Sequence, residues 1–409
     1  MKKLGLTIGF CLVMVTSFGQ KKNVTDALKI SKDSKGNIEE ARAKIKSALQ
    51  HPDTKDDAKT WFTAGQVENN IFDRENTKQI LGQKPNEVVM YNALYDIYPY
   101  FVKAYDLDQL PDAKNRVRPK YVKDIRTIMK ANSVYYINGG VYFYEKEDYK
   151  RAYEIWDQFV EINNSVMMTE GGVVNEADSN YIWANFYAAI AATMLEDNTL
   201  TISTLKRASK FDYRQNEVFQ WLIGSYQMEE DTENMEKTLL EAVSVFPNEA
   251  YFISTLALLY IDANKHDKAI DFVLSGIKND PTKAEYHNIA GFIYEIGLKD
   301  LEKAEGYYLR TIELDSENPD TQASTGRLYY NQGVTQLDVA GEVAIADVKK
   351  YNEEREKARV FFRKALPFFE KSIELNPNQT EILIRLRSIY YHLDMGDKMD
   401  EITKVLGDD

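Results

Sequence analysis

Few side chains in this sequence have the type and spacing that chemistry requires. The four histidines, His51, His266, His287 and His392, are dispersed along the chain, and none sits in an H-E-x-x-H pair. A nucleophile elbow, a Walker loop and a G-x-G-x-x-G turn are also absent from the sequence. Gly139-Gly140 and Gly171-Gly172 have the composition of phosphate loops. A phosphate loop needs a strand before it and a helix after it, and neither pair has that context. The first pair is therefore read as close packing and the second as a connector. Glu229-Glu230-Asp231-Thr232-Glu233 would attract a cation, but it lacks the alternating Asp/Asn ligands and the glycine of a calcium loop. It reads as a solvated turn between helices. The only cysteine, Cys11, lies in an apolar leader. No catalytic, cofactor-binding or metal-binding residue is expected, which leaves binding.

The elements that would position a binding surface announce themselves by period. Tyr226, Tyr260 and Tyr294 follow one another at intervals of 34 residues, as do Leu222, Leu256 and Ala290. Pro247 and Pro281 keep the same interval. A fixed period of this size means stacked copies of one helix-turn-helix unit. In the copy from Ala250 to Lys283, Ile253, Leu256, Ala257 and Tyr260 fall on one stripe of a first helix. Ala269, Val273 and Gly276 do the same on a second, and Pro281 ends the unit. The copy that contains His287, Ala290, Gly291, Tyr294, Ala304, Tyr308 and Thr311 carries one extra residue in its turn. With few prolines and no alternating strand pattern, the fold class is all-α.

These residues resemble the tetratricopeptide repeat, whose helix pairs follow W-x2-L-G-x2-Y, then A-x3-F, then P. Trp61-x-x-Ala64-Gly65, Tyr136-x-x-Gly139-Gly140-x-x-Phe143 with Ala152 and Trp156, and Thr325-Gly326-x-x-Tyr329 are weaker copies. Glu68 stands where the motif has tyrosine. The resemblance implies a right-handed helix-turn-helix solenoid of tetratricopeptide-like repeats whose inner face binds a protein or peptide. Carried onto this chain, that face includes Phe62, Gln66, Asn69, Ile137, Val141, Tyr144, Phe186, Gln220, Gln227, Phe292, Glu295, Arg327 and Tyr330. Some members clamp a terminal carboxylate with Lys and Asn. Here those sites hold Glu217, Gln220 and Gly224, or Glu285, Asn288 and Phe292, so the basic residues of the clamp are missing.

Lys2 and Lys3 precede an uncharged run from Leu4 to Phe18, with Ser17-Phe18-Gly19 at its end. This reads as a secretory signal peptide cleaved after Gly19, too short to span a membrane. It is similar to leaders of Bacteroidetes-type bacteria, which implies a periplasmic protein. Ala365-Leu366-Pro367-Phe368-Phe369-Glu370 is also similar to segments of tetratricopeptide proteins from that group. The formal charge of −13 makes nucleic acid a poor partner. The expected organisation is a signal peptide over 1–19, degenerate repeats over 20–166 with a loop inserted near 70–87, and a connector at 167–181. In-register repeats follow over 182–318, then a C-terminal repeat over 319–409 with an insertion near 331–352, capping helices and a kink at Pro367. The leading functional reading is a non-catalytic exported scaffold, with a glycan-active helical-repeat enzyme or a self-assembling envelope protein as alternatives. Homo-oligomerisation stays open.

Overall fold

The computed structural model describes residues 19–169 and 178–407, and among them every regular element is a helix. The leader, with Cys11, and the glycine pair Gly171-Gly172 lie outside the described residues. Helix α1 runs over residues 19–32. It is followed by α2 (Ile38–Gln50), α3 (Ala58–Ile80), α4 (Glu87–Asp108), α5 (Val122–Glu145), α6 (Tyr149–Asn164) and α7 (Val166–Thr169). Then come α8 (Ser179–Thr193), α9 (Asn198–Ala208), α10 (Gln215–Met228), α11 (Thr232–Val245), α12 (Ala250–Asp262) and α13 (His266–Asn279). Helix α14 (Ala284–Phe292) runs into a π turn, Ile293–Gly297, and α15 (Leu301–Leu314), α16 (Pro319–Gly341), α17 (Val348–Leu375), α18 (Thr380–His392) and α19 (Gly396–Leu406) complete the chain.

The chain divides into two compact units, Met1–Ser225 and Tyr226–Asp409, so the division falls inside α10. Within the first unit α2 packs on α3, α3 on α4, α4 on α5, α5 on α6, α6 on α8, and α8 on α9. Within the second, each helix from α11 to α19 packs on the next, which makes a succession of helix-turn-helix pairs.

Local sequence explains why the pairs form. In four turns a residue in the left-handed region is followed by an aspartate that caps the next helix. These are Glu147-Asp148, Glu196-Asp197, Glu230-Asp231 and Lys299-Asp300, with φ of 62°, 56°, 55° and 57° at the first residue. The aspartate side chains accept from the backbone N–H groups of Arg151, Leu200, Asn234 and Lys303. This satisfies donors that the start of a helix leaves unpaired. The acidic run at 229–233 is such a turn, and its aspartate serves as a cap. The repeating tyrosines close the preceding helix: the N–H of Asp231 donates to the Tyr226 carbonyl at 3.0 Å, and that of Lys265 to the Tyr260 carbonyl at 2.7 Å. After Tyr294 the same bond comes from Asp300, one residue later, at 2.8 Å. The extra residue of this copy is thus wound into the helix end as the π turn Ile293–Gly297, and the turn itself keeps its length.

The repeating tyrosines also fasten one pair to the next. The hydroxyl of Tyr260 donates to Glu236 on α11 at 2.9 Å, that of Tyr329 to Glu305 on α15 at 2.6 Å, and that of Tyr390 to Glu370 on α17 at 2.8 Å. Each ring also carries a lysine ammonium over its face, for example Lys364 at 4.9 Å from the Tyr329 centroid. Small residues admit the large ones. A Cβ at Gly140 would lie 2.2 Å from Trp156, and one at Gly291 would lie 2.7 Å from Tyr308.

Two expected interruptions take a different form. The segment near 70–87 is not an inserted loop, since α3 continues to Ile80 because Ile71, Phe72, Glu75 and Asn76 are buried along it. Only residues 81–86 leave the helix, with Gly82 at φ +71°. The segment near 331–352 lengthens a helix pair instead of separating it. Gly333 faces Phe362, Ala340 is buried, and Gln336 donates to Glu354 at 2.6 Å across the extended α16–α17 contact. Helix α17 continues through Pro367 to Leu375.

Candidate functional site

Three candidate residues of the second unit, Phe292, Glu295 and Arg327, come together around the π turn. Glu295, only 4% exposed, sits within that turn and not on an open face. Its Oε2 accepts from the Tyr308 hydroxyl at 2.8 Å and from Arg327 Nη2 at 3.0 Å. Arg327 Nη2 also donates to the Tyr308 oxygen at 3.2 Å. Burial and the adjacent Glu295 carboxylate push the Tyr308 hydroxyl far above the usual phenol range. The Arg327 guanidinium, still partly exposed, lies 5.7 Å from the centroid of the half-buried Phe292 ring. One turn further along α16, Tyr330 packs against Phe362 and Phe369, donates to Ser388 Oγ at 3.3 Å, and has Arg385 over its ring at 5.8 Å.

The consequence is an arginine fixed in place by its neighbours. One of its nitrogens is held by Glu295 and Tyr308, and Phe292 supports the plane of the guanidinium. Arginine has five N–H donors in a rigid fork, so several remain for carbonyl or carboxylate oxygens. The family resemblance named Phe292, Glu295, Arg327 and Tyr330 as inner-face positions; Glu295 is instead buried and anchors Arg327. Tyr308, Arg385 and Ser388 were missed as members of this cluster, and the i, i+3 spacing of Arg385 and Ser388, matching that of Arg327 and Tyr330, was the available signal.

In the first unit the candidates differ in burial and in their contacts. Phe62 is a core residue, stacked between Phe101 at 5.7 Å and Tyr121 at 4.5 Å. Gln66 is half-buried. Asn69 is engaged, donating to Asp73 at 2.8 Å and accepting from Asn132 at 2.7 Å. Val141 is exposed, whereas Tyr144 is half-buried against Tyr149 and Trp156 at 5.2 and 6.0 Å. Gln220 donates to Asn216 at 2.6 Å. Gln227 is exposed in the second unit.

Glu68, the residue in place of a motif tyrosine, is 2% exposed and receives two donors of Arg42, Nε at 2.9 Å and Nη2 at 2.6 Å. Burial still raises its pKa, against the pull of Arg42. A charged pair between α2 and α3 thus replaces the aromatic contact of the other copies. Glu75 is likewise buried and bound, by Lys78 and by the backbone N–H of Asn86. Among the described residues no group of three or more His, Cys, Asp or Glu side chains could hold a metal ion, and no helix is long and apolar enough to cross a membrane. His287 is structural, its Nε2 lying 2.9 Å from the Pro281 carbonyl oxygen.

No family model matches the sequence. The chain is similar to the TPR repeat-containing protein YpiA of Bacillus subtilis (strain 168), at 25% identity over 162 residues. The match takes in 37% of this chain and 38% of that protein, so the chain spans well under half the length of this relative. The fold is a solenoid of tetratricopeptide-like repeats. Solved tetratricopeptide structures similar to it include a TPR repeats protein from Bacteroides fragilis NCTC 9343, with 19% identity, coverage of 63% of this chain and 98% of that one, and a TM-score of 0.34. A thermophilic TPR protein from Thermus thermophilus has 15% identity, coverage of 51% and 99%, and a TM-score of 0.35.

Proposed function

We propose that this tetratricopeptide-like chain is a non-catalytic scaffold that binds an extended peptide or a docked protein segment. The binding face is that of the second unit around Phe292, Arg327 and Tyr330. The observation that carries this reading is Arg327, held by Glu295 and Tyr308 over the Phe292 ring with N–H donors to spare. A pre-positioned fork beside two aromatic rings suits a ligand that offers carbonyl oxygens and apolar side chains. The buried carboxylates Glu68, Glu75 and Glu295 are each engaged by a cation, which supports structural rather than catalytic roles for them. Export to the periplasm forms part of the proposal, on the strength of Lys2, Lys3 and the uncharged run from Leu4 to Phe18.

The test is a peptide array probed with the mature chain and with Phe292→Ala and Arg327→Ala. Both side chains are partly exposed, but Arg327→Ala leaves the buried Glu295 carboxylate without its cation, so circular dichroism is used to verify that both variants are folded. Peptides bound by the wild type and lost by both variants are expected. Retention of every bound peptide by both variants would overturn the assignment of this face.

A further inference from the structure

The four tryptophans of the chain divide into two pairs. Trp61 donates its indole N–H to the Lys55 carbonyl at 2.6 Å, and Trp156 donates to the Ile137 carbonyl at 3.2 Å. Trp183 and Trp221 are 40% and 36% exposed, and neither indole N–H has a hydrogen-bond partner among the described residues. Trp183 lies on α8 and Trp221 on α10, both in the first unit, and they flank one aromatic cluster. Trp221 stacks on the buried Phe186 ring at 5.9 Å and 28°. Tyr213 stands edge-on to Phe186 at 5.1 Å and 88°, and Trp183 lies 6.3 Å beyond it at 52°.

The junction between α9 and α10 sets this arrangement. Arg214, directly after Tyr213, has φ 47°. The other non-glycine residues in this region belong mostly to the turn within a helix pair, such as Glu196 and Glu230. Arg214 instead lies between pairs, where left-handed backbone disfavours a long side chain. Its guanidinium lies 5.2 Å from the Phe186 centroid and is neutralised by Glu217, with Nε to Oε1 at 2.8 Å. This aromatic patch therefore combines exposed ring faces, an arginine already paired with Glu217, and two indole groups that can only donate.

We propose that this aromatic patch is a second binding site, separate from the Phe292–Arg327 face, and that its ligand is a proline-rich peptide in the polyproline II conformation. Proline offers an apolar ring for each aromatic face and a carbonyl acceptor for each indole, and it has no N–H that would need an acceptor from the patch. The polyproline helix is already ordered before docking, and aromatic-lined grooves recognise it for that reason. A glycan would present many hydroxyl donors, and the Glu217 carboxylate beside the rings is already paired with Arg214.

The test is a titration of the full chain with a synthetic decaproline peptide, followed by tryptophan fluorescence and by calorimetry. Saturable binding is expected, with an emission shift as Trp183 and Trp221 leave water. Trp183→Ala and Trp221→Ala should each weaken it by about tenfold or more. Trp221→Phe, which keeps a ring but removes the N–H, should fall between wild type and Trp221→Ala. Ile345→Ala, at an exposed residue that belongs to neither site, should bind as wild type does. Absence of saturable binding to the folded wild type would overturn the proposal. So would unchanged affinity in both alanine variants, or binding of a neutral oligosaccharide that depends on the tryptophans while decaproline does not bind.

Discussion

Replacing Gly291 and Gly306 by alanine, one at a time, should move stability in opposite directions although both glycines belong to the same helix pair. A Cβ at Gly291 would meet Cδ1 and Cε1 of Tyr308 at 2.7 Å and Cγ at 3.1 Å. Relaxed carbon contacts need about 3.5–4.0 Å, so the ring or the helix must retreat by about 1 Å. The ring is not free to turn, because Tyr308 is fully buried and its hydroxyl is tied to Glu295 and Arg327. Overpacking of this kind costs about 1–3 kcal/mol, and losing the hydrogen bond to Glu295 adds about 1 kcal/mol. The better helix propensity of alanine returns about 1 kcal/mol, which leaves a net loss of about 2 kcal/mol. At Gly306, on the exposed side of α15, a Cβ would have nothing within 4 Å. Only the propensity gain of about 1 kcal/mol remains there. In a domain of this size each kcal/mol corresponds to about 2–4 °C. Thermal unfolding followed by far-ultraviolet circular dichroism should therefore show a fall of about 4–8 °C for Gly291→Ala and a rise of about 2–4 °C for Gly306→Ala. Shifts of the same sign in both variants, or no loss at Gly291, would refute the packing argument.

Other perturbations test the charged and aromatic fastenings. Arg42→Met leaves the buried Glu68 carboxylate without its partner and should destabilise the first unit by about 3 kcal/mol at pH 7 in urea denaturation. Glu68 already holds its proton more tightly than a free carboxyl. A raised pKa means that the native state takes up the proton first, so the loss in Arg42→Met should shrink as pH falls toward 5; an equal loss at both pH values would contradict this. Tyr260→Phe removes the hydroxyl bond to Glu236 and should cost about 1–2 kcal/mol. Burial, and then Glu236, push the Tyr260 hydroxyl up to about 12. Its contribution is whole below pH 10 and is lost as pH rises through about 12, so wild type and variant should converge in alkali when unfolding is followed by tyrosinate absorbance.

Much of this protein was written in short-range patterns. The interval between Tyr226, Tyr260 and Tyr294 dictated helix pairs because each tyrosine closes its helix and packs inward, Tyr226 and Tyr260 buried and Tyr294 partly so. The acidic run at 229–233 read correctly as a turn, since a left-handed glutamate followed by a capping aspartate needs only neighbouring residues. Local pattern also led to two misplacements. Gly82 and Pro85 obscured the continuation of α3, and the weak apolar pattern after Tyr330 hid the lengthening of α16. In both places burial against a partner helix outweighs local propensity.

The sequence by itself determined the repeat, its helix boundaries within a few residues, and which stripe each helix buries, because these follow from a 3.6-residue helical period and from caps acting over four or five residues. Only the tertiary structure decided which inner residues meet. Helix-to-helix offsets brought Glu295 from a π turn to Arg327 in the following repeat, placed Phe62 in the core, paired Glu68 with Arg42, and gathered Trp183, Tyr213 and Trp221 around Phe186. Those offsets depend on side-chain volumes at contacts far apart in sequence, such as Gly291 against Tyr308, and no local period encodes them.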